Sequence, residues 1–217
     1  MISKFNEIES LFREIDKLLK RKIEVYIIGG AVLLYQGLKP ATKDIDVILK
    51  NKDDFIEFQR ALIKAGFGKK QSDIFYKNLD LTYLLIRDEF RIDLFLSKVC
   101  SKFSLSEGMI RRAKKVLALD NMTVFNCSNE DIFLFKTMTD RPGDLEDCMA
   151  LAKANLNWKE MKEELLAQIK SSGKDIWITW ICERMDLLED RKLNIPIKKD
   201  IDRLAEDYFD SIDKEKK

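Results

Sequence analysis

The feature that most constrains this chain is an apolar strand that ends in two glycines and leads directly into a short helix. The strand is predicted over residues 24–28 (EVYII), Gly29 and Gly30 follow it, and the helical stretch AVLLYQG ends near Gly37. Glycines at the start of a helix let the backbone approach a ligand closely, and the free amides there favour a phosphate. The same pattern also suits an ordinary tight turn, so both interpretations stay open at this point.

Carboxylates follow on two later predicted strands. Asp44 and Asp46 belong to the strand DIDVIL, where alternation places both side chains on one face. Asp93 lies between apolar neighbours in another strand, a setting in which aspartate is disfavoured. Like charges this close are costly unless a cation lies between them, which points to a metal site. The alternatives are two solvated aspartates on an exposed strand and an ion pair between Asp93 and Arg91.

The order of the predicted elements indicates an α+β protein. Strands are predicted over 24–28, 44–49, 74–77, 81–86, 91–96 and 122–126, with a hairpin turn at 87–90. Helices are predicted over 4–20 with Ser3 as N-cap, over 52–65, over 107–115, and repeatedly from Ser128 onward, where Asp144 opens the second helix of the series. We therefore expect a short mixed sheet flanked by helices in residues 1–127, followed by a C-terminal helical region in residues 128–217.

The composition excludes several kinds of catalytic site. The 217 residues contain no histidine, which rules out a Ser-His-Asp triad, a Cys-His pair and zinc sites that need imidazole. Acid–base chemistry must then fall to carboxylates, lysine, tyrosine or cysteine, and a bound metal should be a hard cation on oxygen ligands. The net charge of +1 argues against a surface that binds nucleic acid everywhere but leaves room for a local basic patch.

The cysteine pattern and the hydropathy predict a cytoplasmic protein with no membrane partner. The four cysteines show no CxxC or other ligand spacing, as expected of reduced thiols in an intracellular protein. The amphipathic N-terminus does not resemble a signal peptide. The longest apolar run, Val25 to Tyr35, is interrupted by two glycines and is too short to span a bilayer.

Taken together, the two glycines, the Asp-x-Asp pair and the later strand aspartate resemble the nucleotidyltransferase superfamily that includes DNA polymerase beta and kanamycin nucleotidyltransferase. The stretch YIIGGAVLLYQGLKPATKDIDVIL is similar to that family's segment from the glycines to the Asp-x-Asp pair, including Thr42 at its approach. Many members carry an arginine shortly before the pair, where this chain has Lys39 and Lys43.

The resemblance implies a nucleotidyltransferase fold, an NTP substrate with ATP among the candidates, and two Mg²⁺ ions. Asp44, Asp46 and Asp93 would be the metal ligands and the catalytic residues, with Asp93 also activating the acceptor hydroxyl. Gly29 and Gly30 would lie at the phosphates of the nucleotide.

A second segment, NEDIFLFKTMTDRPGDLEDCMALA, is similar to a helix pair in nucleotidyltransferase toxins linked to abortive infection. The resemblance implies that Lys136 contacts the triphosphate and that an antitoxin is a partner. Asp144 and Asp147 share a helix face because they are three residues apart. The alternative is that Arg141 and these two aspartates form a salt-bridge cluster that caps the helix.

The expected activity is Mg²⁺-dependent transfer of NMP from an NTP to a hydroxyl of RNA or tRNA, a protein or a small molecule, with a toxin-like role implied by the resemblance. The alternative is a non-catalytic protein of the same fold that binds a nucleotide or a protein partner.

Four basic residues could contact an RNA or nucleotide acceptor, or form a solvated helix face: Arg111, Arg112, Lys114 and Lys115.

Overall fold

The computed structural model describes residues 1–69 and 83–215. The chain divides into two compact units, Met1–Ser128 and Asn129–Lys217. The strands of the first unit are β1 (Ile23–Ile28), β2 (Ile45–Leu49), β3 (Gly68–Lys69), β4 (Tyr83–Arg87), β5 (Phe90–Leu96), β6 (Lys114–Ala118) and β7 (Met122–Asn126). Its helices are α1 (Phe5–Asp16), α2 (Gly30–Tyr35), α3 (Lys52–Lys64) and α4 (Glu107–Arg112).

The strands form one mixed sheet in the order β3-β4-β5-β2-β1-β7-β6 within the described residues. The middle strand β2 runs antiparallel to β1 and parallel to β5, and β1 runs parallel to β7. The α+β class predicted from the sequence is therefore confirmed. The predicted hairpin between β4 and β5 is also present, with Asp88 at a φ of 53° in its turn.

Strands β1 and β2 consist almost entirely of apolar residues because both of their faces are covered. Ile27 and Val47 are fully buried on one face, and Tyr26 and Ile48 are almost completely buried on the other, which is the expected pattern for strands packed on both sides. The amphipathic helix α1 contributes four apolar side chains to the same core: Ile8, Leu11, Phe12 and Ile15. The predicted N-cap of this helix was wrong, since Lys4 is the capping residue and Glu7 accepts from the backbone amides of Ser3 and Lys4.

The predicted helix over 107–115 ends earlier than expected. Helix α4 stops at Arg112, Ala113 takes an extended conformation, and β6 begins at Lys114 as an edge strand paired with β7. The run of arginine and lysine favours a helix by local propensity, but burial of Leu117 against the sheet decides in favour of a strand. The predicted strand over 74–77 and the first two residues of the one over 81–86 lie outside the described residues.

The second unit consists of helices among the described residues: α5 (Asn129–Thr137), α6 (Pro142–Ala152), α7 (Trp158–Ser172), α8 (Trp177–Asp190) and α9 (Lys198–Glu215). Helix α6 begins at Pro142 with Arg141 as its N-cap, and not at Asp144 as predicted. Proline is well tolerated in the first helical turn, where its missing N–H leaves no hydrogen bond unmade. No helix within the described ranges is both long and apolar enough to cross a bilayer.

Candidate active site

The structure brings Asp46 and Asp93 together in the centre of the sheet. They are register partners on the adjacent parallel strands β2 and β5. Neighbouring strands are about 4.8 Å apart and partnered residues project from the same face, so the two carboxylates lie side by side. Asp93 is buried and Asp46 is half-buried. Asp44 is also half-buried and directly precedes β2 rather than lying within it.

Gly29, which follows the end of β1, lies close to the carboxylate of Asp46. The last residue of β1, Ile28, is the register partner of Asp46 on β2. Gly29 has a φ of 69° and a ψ of −148°, a conformation that side chains strongly disfavour. A Cβ atom at Gly29 would lie 2.3 Å from Oδ2 of Asp46. Glycine is therefore required at this position both by the backbone conformation and by the proximity of Asp46.

Gly30 is linked to Asp44 through Thr42. A Cβ atom at Gly30 would lie 2.5 Å from Oγ1 of Thr42. The same hydroxyl donates a hydrogen bond of 3.0 Å to the backbone oxygen of Asp44. Thr42 is itself buried and held by backbone hydrogen bonds to Ile2 in both directions. A side chain at position 30 would therefore push on the residue that positions Asp44.

Arg91 forms a two-point ion pair with Asp93. Its Nε lies 2.9 Å from Oδ1 and its Nη2 lies 2.7 Å from Oδ2 of the carboxylate. Paired charge-assisted hydrogen bonds of this kind fix both the position and the orientation of the carboxylate. The ion pair considered from the sequence as an alternative is thus present, and it occupies the side chain predicted to be the acceptor-activating base.

Tyr26 provides no acid–base group to this site. It lies on β1 two residues before Ile28 and is almost completely buried. Its hydroxyl donates a hydrogen bond of 2.9 Å to Glu24. Burial, together with this hydrogen bond, raises the pKa of Tyr26 well above its usual range. The phenol therefore stays protonated, which leaves the carboxylates as the candidates for proton transfer in this part of the sheet.

Lys136 lies in the second unit, between two carboxylates. Its Nζ is 2.6 Å from Oδ1 of Asp144 and 2.8 Å from Oδ2 of Asp147. Thr139 and Arg141 also donate hydrogen bonds to Asp144. The ion pair of Arg141 with Asp144 belongs to the cluster considered as an alternative, but Lys136, which that alternative did not include, lies at its centre. Arg141, the N-cap residue, makes no side-chain cap hydrogen bond. The role of Lys136 as a triphosphate contact stays a prediction.

The charges in this cluster shift one another's pKa values in opposite directions. Burial acts to lower the pKa of Lys136, but the charges of Asp144 and Asp147 outweigh it and raise that pKa. Burial acts to raise the pKa of Asp144, but the cations Lys136 and Arg141 outweigh it and lower that pKa. The pairing therefore keeps Lys136 and Asp144 charged inside the second unit.

The two acidic groupings differ in how well they suit a metal ion. Asp44, Asp46 and Asp93 offer only carboxylate oxygens, the donor set that Mg²⁺ prefers. A second group in the helical unit, Cys182, Asp186 and Asp202, has ligand atoms within 4.8 Å of one another. There, however, Lys198 is placed 2.6 Å from Asp186 and hydrogen-bonded to Asp202, so an ammonium already supplies the positive charge.

A comparison with protein families identifies the chain. The sequence model of the family described as "nucleotidyltransferase of unknown function" (DUF6036) matches residues 5–178. The chain belongs to this family. A search of curated protein sequences found no match. Family membership confirms the superfamily that the glycine and aspartate motifs predicted, and assigns this DUF6036 member to the nucleotidyltransferase enzymes.

Solved structures show the same fold. The DUF6036 chain is similar to the crystal structure of ANT(2″)-Ia in complex with adenylyl-2″-tobramycin, with a TM-score of 0.51 and 14% identity over 77% of this chain and 98% of that one. It is also similar to a solution structure of the antibiotic-resistance factor ANT(2″)-Ia, with a TM-score of 0.52 and 14% identity over 78% of this chain and 92% of that one. These likenesses confirm the predicted nucleotidyltransferase fold.

One buried polar residue of the sheet was not predicted from the sequence, and its side chain projects to the face opposite Asp46. Asn126 ends β7 beside Ile27 of β1 and is buried. Its side-chain Nδ2 and Oδ1 have no hydrogen-bond partner within the described part of the chain. A buried amide without partners is unusual in a folded protein. The only sequence signal was a polar residue at the end of the strand MTVFN, which is also how an ordinary strand ends.

Proposed function

We propose that this protein is a Mg²⁺-dependent nucleotidyltransferase that moves NMP from an NTP to a hydroxyl acceptor. One observation carries the proposal: Asp46 and Asp93 are register partners on adjacent strands, and Gly29 lies against Asp46. Closely spaced carboxylates beside a backbone with room only for glycine are suited to a cation and a phosphate chain. This arrangement supports the proposed roles of Asp46 and Asp93 as metal ligands, and the sequence resemblance adds Asp44 as the third.

In the proposed reaction the acceptor oxygen forms a bond to the α-phosphorus, and the bond from that phosphorus to the β-phosphate oxygen breaks. Pyrophosphate leaves with the electron pair, and Asp93 receives the proton of the acceptor hydroxyl. Bound Mg²⁺ would offset the negative charge of the triphosphate and make the hydroxyl more acidic. Gly29 and Gly30 let the backbone lie close to the phosphates. Arg91 would hold Asp93 in place before the substrates arrive.

The same Arg91 contact favours a second candidate, a protein that binds Mg–NTP without turning it over. Both oxygens of Asp93 accept hydrogen bonds from Arg91, and a carboxylate fixed in this way is less available as a metal ligand or base. A toxin-like role with an antitoxin partner, and a cytoplasmic location, stay predictions. They rest on the sequence resemblance and on the cysteine and hydropathy patterns.

Incubation with each α-labelled NTP, Mg²⁺, total RNA and total protein tests the proposal. An active enzyme should release pyrophosphate and place label on one class of acceptor, and omission of Mg²⁺ should abolish both. Equilibrium binding of Mg–NTP, measured in parallel, separates the candidates. Binding without label transfer would support the second candidate, whereas the absence of both would contradict the proposed site.

Replacement of Gly30 by valine is expected to weaken Mg–NTP binding by at least about tenfold. The new side chain would meet Oγ1 of Thr42 and displace the hydroxyl that supports Asp44. Isothermal titration with a non-hydrolysable NTP gives the affinity, and thermal unfolding shows whether the protein stays folded. Gly143→Val is the matched control, because nothing lies within 4 Å of a Cβ atom at that position. A folded Gly30→Val protein with unchanged affinity would contradict the assigned role of the glycines.

A further inference from the structure

We infer that the acceptor is a hydroxyl of a single-stranded nucleic acid, whose phosphates lie along a basic edge of the sheet. This inference rests on the proposed function and adds the class of acceptor to it. We define the basic edge by four residues at the junction of α4 and β6: Arg111, Arg112, Lys114 and Lys115.

The register of the sheet places part of the basic edge on the same face as the candidate carboxylates. Lys115 pairs with Phe125 on β7, and Phe125 pairs with Tyr26 on β1. Tyr26 in turn pairs with Ile48, which lies two residues after Asp46 on β2. Residues two apart on a strand share a face, so Lys115 and Asp46 project to the same side. The strands that carry them are three strand spacings apart, about 14 Å.

Three of the four positive charges of the basic edge are available to a ligand. Arg111, Lys114 and Lys115 are exposed. In the described part of the chain these three side chains take part in no ion pair. Among the described residues β6 is the last strand on its side of the sheet, and no described strand covers them. Unpaired cations at this distance from the carboxylates suit a polyanion and would repel a cationic acceptor.

An aromatic side chain lies between the carboxylates and the basic edge. Phe125 is half-buried and stacks on Tyr26 with ring centroids 5.1 Å apart and planes 13° apart. Glu24, two residues before Tyr26 on the same face of β1, accepts the hydrogen bond of the Tyr26 hydroxyl. Aromatic rings interleaved with a cationic groove are the usual means of holding single strands, because bases stack while the cations follow the backbone.

Fluorescence anisotropy with a labelled single-stranded RNA, and with DNA of the same sequence, tests this inference. The variant carries glutamine at all four positions of the basic edge. We expect its affinity to fall by at least about tenfold, and the slope of log affinity against log salt to decrease by about 2.1 for the phosphate contacts of the three exposed cations. The control carries four lysine-to-glutamine changes at exposed positions of the second unit: Lys153, Lys159, Lys170 and Lys174.

A second variant, Phe125→Leu, separates stacking from charge. It should weaken binding several-fold at every salt concentration while leaving the salt slope unchanged, since no phosphate contact is removed. Lysines on an edge strand prevent pairing with other chains, so the fourfold variant can aggregate when they are removed. Phe125→Leu keeps these lysines and provides a readout in that case. Binding by both variants equal to that of the control would overturn the inference.

The same proteins distinguish this inference from the proposed function. We expect the fourfold variant to bind Mg–NTP as the wild type does, and to lose label transfer to the oligonucleotide. Transfer of NMP to a protein or a small molecule, with no oligonucleotide binding, would overturn the inference and leave the proposed function standing. Oligonucleotide binding without Mg–NTP binding would support the basic edge and contradict the proposed function.

Discussion

Replacement of Asp93 by asparagine is expected to lower the rate of nucleotidyl transfer by roughly 10²–10⁴-fold through loss of the general base alone. Loss of a metal ligand should add to that effect. Asparagine is nearly isosteric and keeps one oxygen for Arg91, so the strand β5 should retain its structure. Asp44 and Asp46 would still hold much of the Mg–NTP affinity. In kinetic terms kcat should fall with little change in substrate affinity, as for an interaction made mainly in the transition state.

Asp88→Asn is the matched control, because this aspartate lies in the exposed turn of the same hairpin. It should leave both the rate and the affinity close to wild type. A rate near wild type in folded Asp93→Asn protein with bound metal would show that Asp93 serves only as the ion-pair partner of Arg91. Loss of Mg–NTP affinity equal to the loss of rate would instead assign Asp93 to binding rather than to chemistry.

Replacement of Lys136 by methionine is expected to lower the free energy of unfolding by about 3–5 kcal/mol, the usual cost of removing one partner from a buried ion pair. Methionine fills a similar volume but leaves the buried carboxylates of Asp144 and Asp147 without their shared cation. Denaturant unfolding monitored by circular dichroism gives the change. Lys159→Met, at a highly exposed position on α7, should change stability by less than about 0.5 kcal/mol.

The pH dependence of the Lys136→Met protein gives a second test. The lowered pKa of Asp144 stabilises the fold above the unfolded pKa of about 3.9, and this stability is lost as the pH falls through the folded value. Without Lys136 the pKa of Asp144 should rise, so acid unfolding should begin at a higher pH. Adding Asp144→Asn and Asp147→Asn should recover part of the stability. Unchanged stability with weaker Mg–NTP binding would instead support the triphosphate contact.

The sequence predicted the parts of this protein that depend on local pattern. Alternation located the strands that carry Asp46 and Asp93, and helical periodicity located α1 and α3. Together with the paired glycines, these elements were sufficient for the fold and the family, which the comparisons confirm. The assignment of Asp46 and Asp93 as metal ligands stays a prediction, because the register brings their side chains together without showing what they bind.

The errors arose where a distant contact overrides local preference. The charged run ending at Lys115 favours a helix by propensity, yet pairing with β7 makes its last residues an edge strand. The cluster around Lys136 depends on how α5 packs against α6, which no spacing within one helix reveals. The contact between Gly29 and Asp46 likewise joins residues 17 positions apart through the register of β1 and β2.

The contact between Gly29 and Asp46 gives a criterion for sorting related proteins, namely which residue each has at the position aligned with Gly29. A Cβ atom at position 29 and the Oδ2 of Asp46 cannot occupy their present places together, since they would be 2.3 Å apart. A relative with any other residue at this position must therefore have moved the carboxylate, lost it or rebuilt the turn. Such relatives are the first in which degenerate, non-enzymatic descendants of the fold should be sought, even where every aspartate is retained.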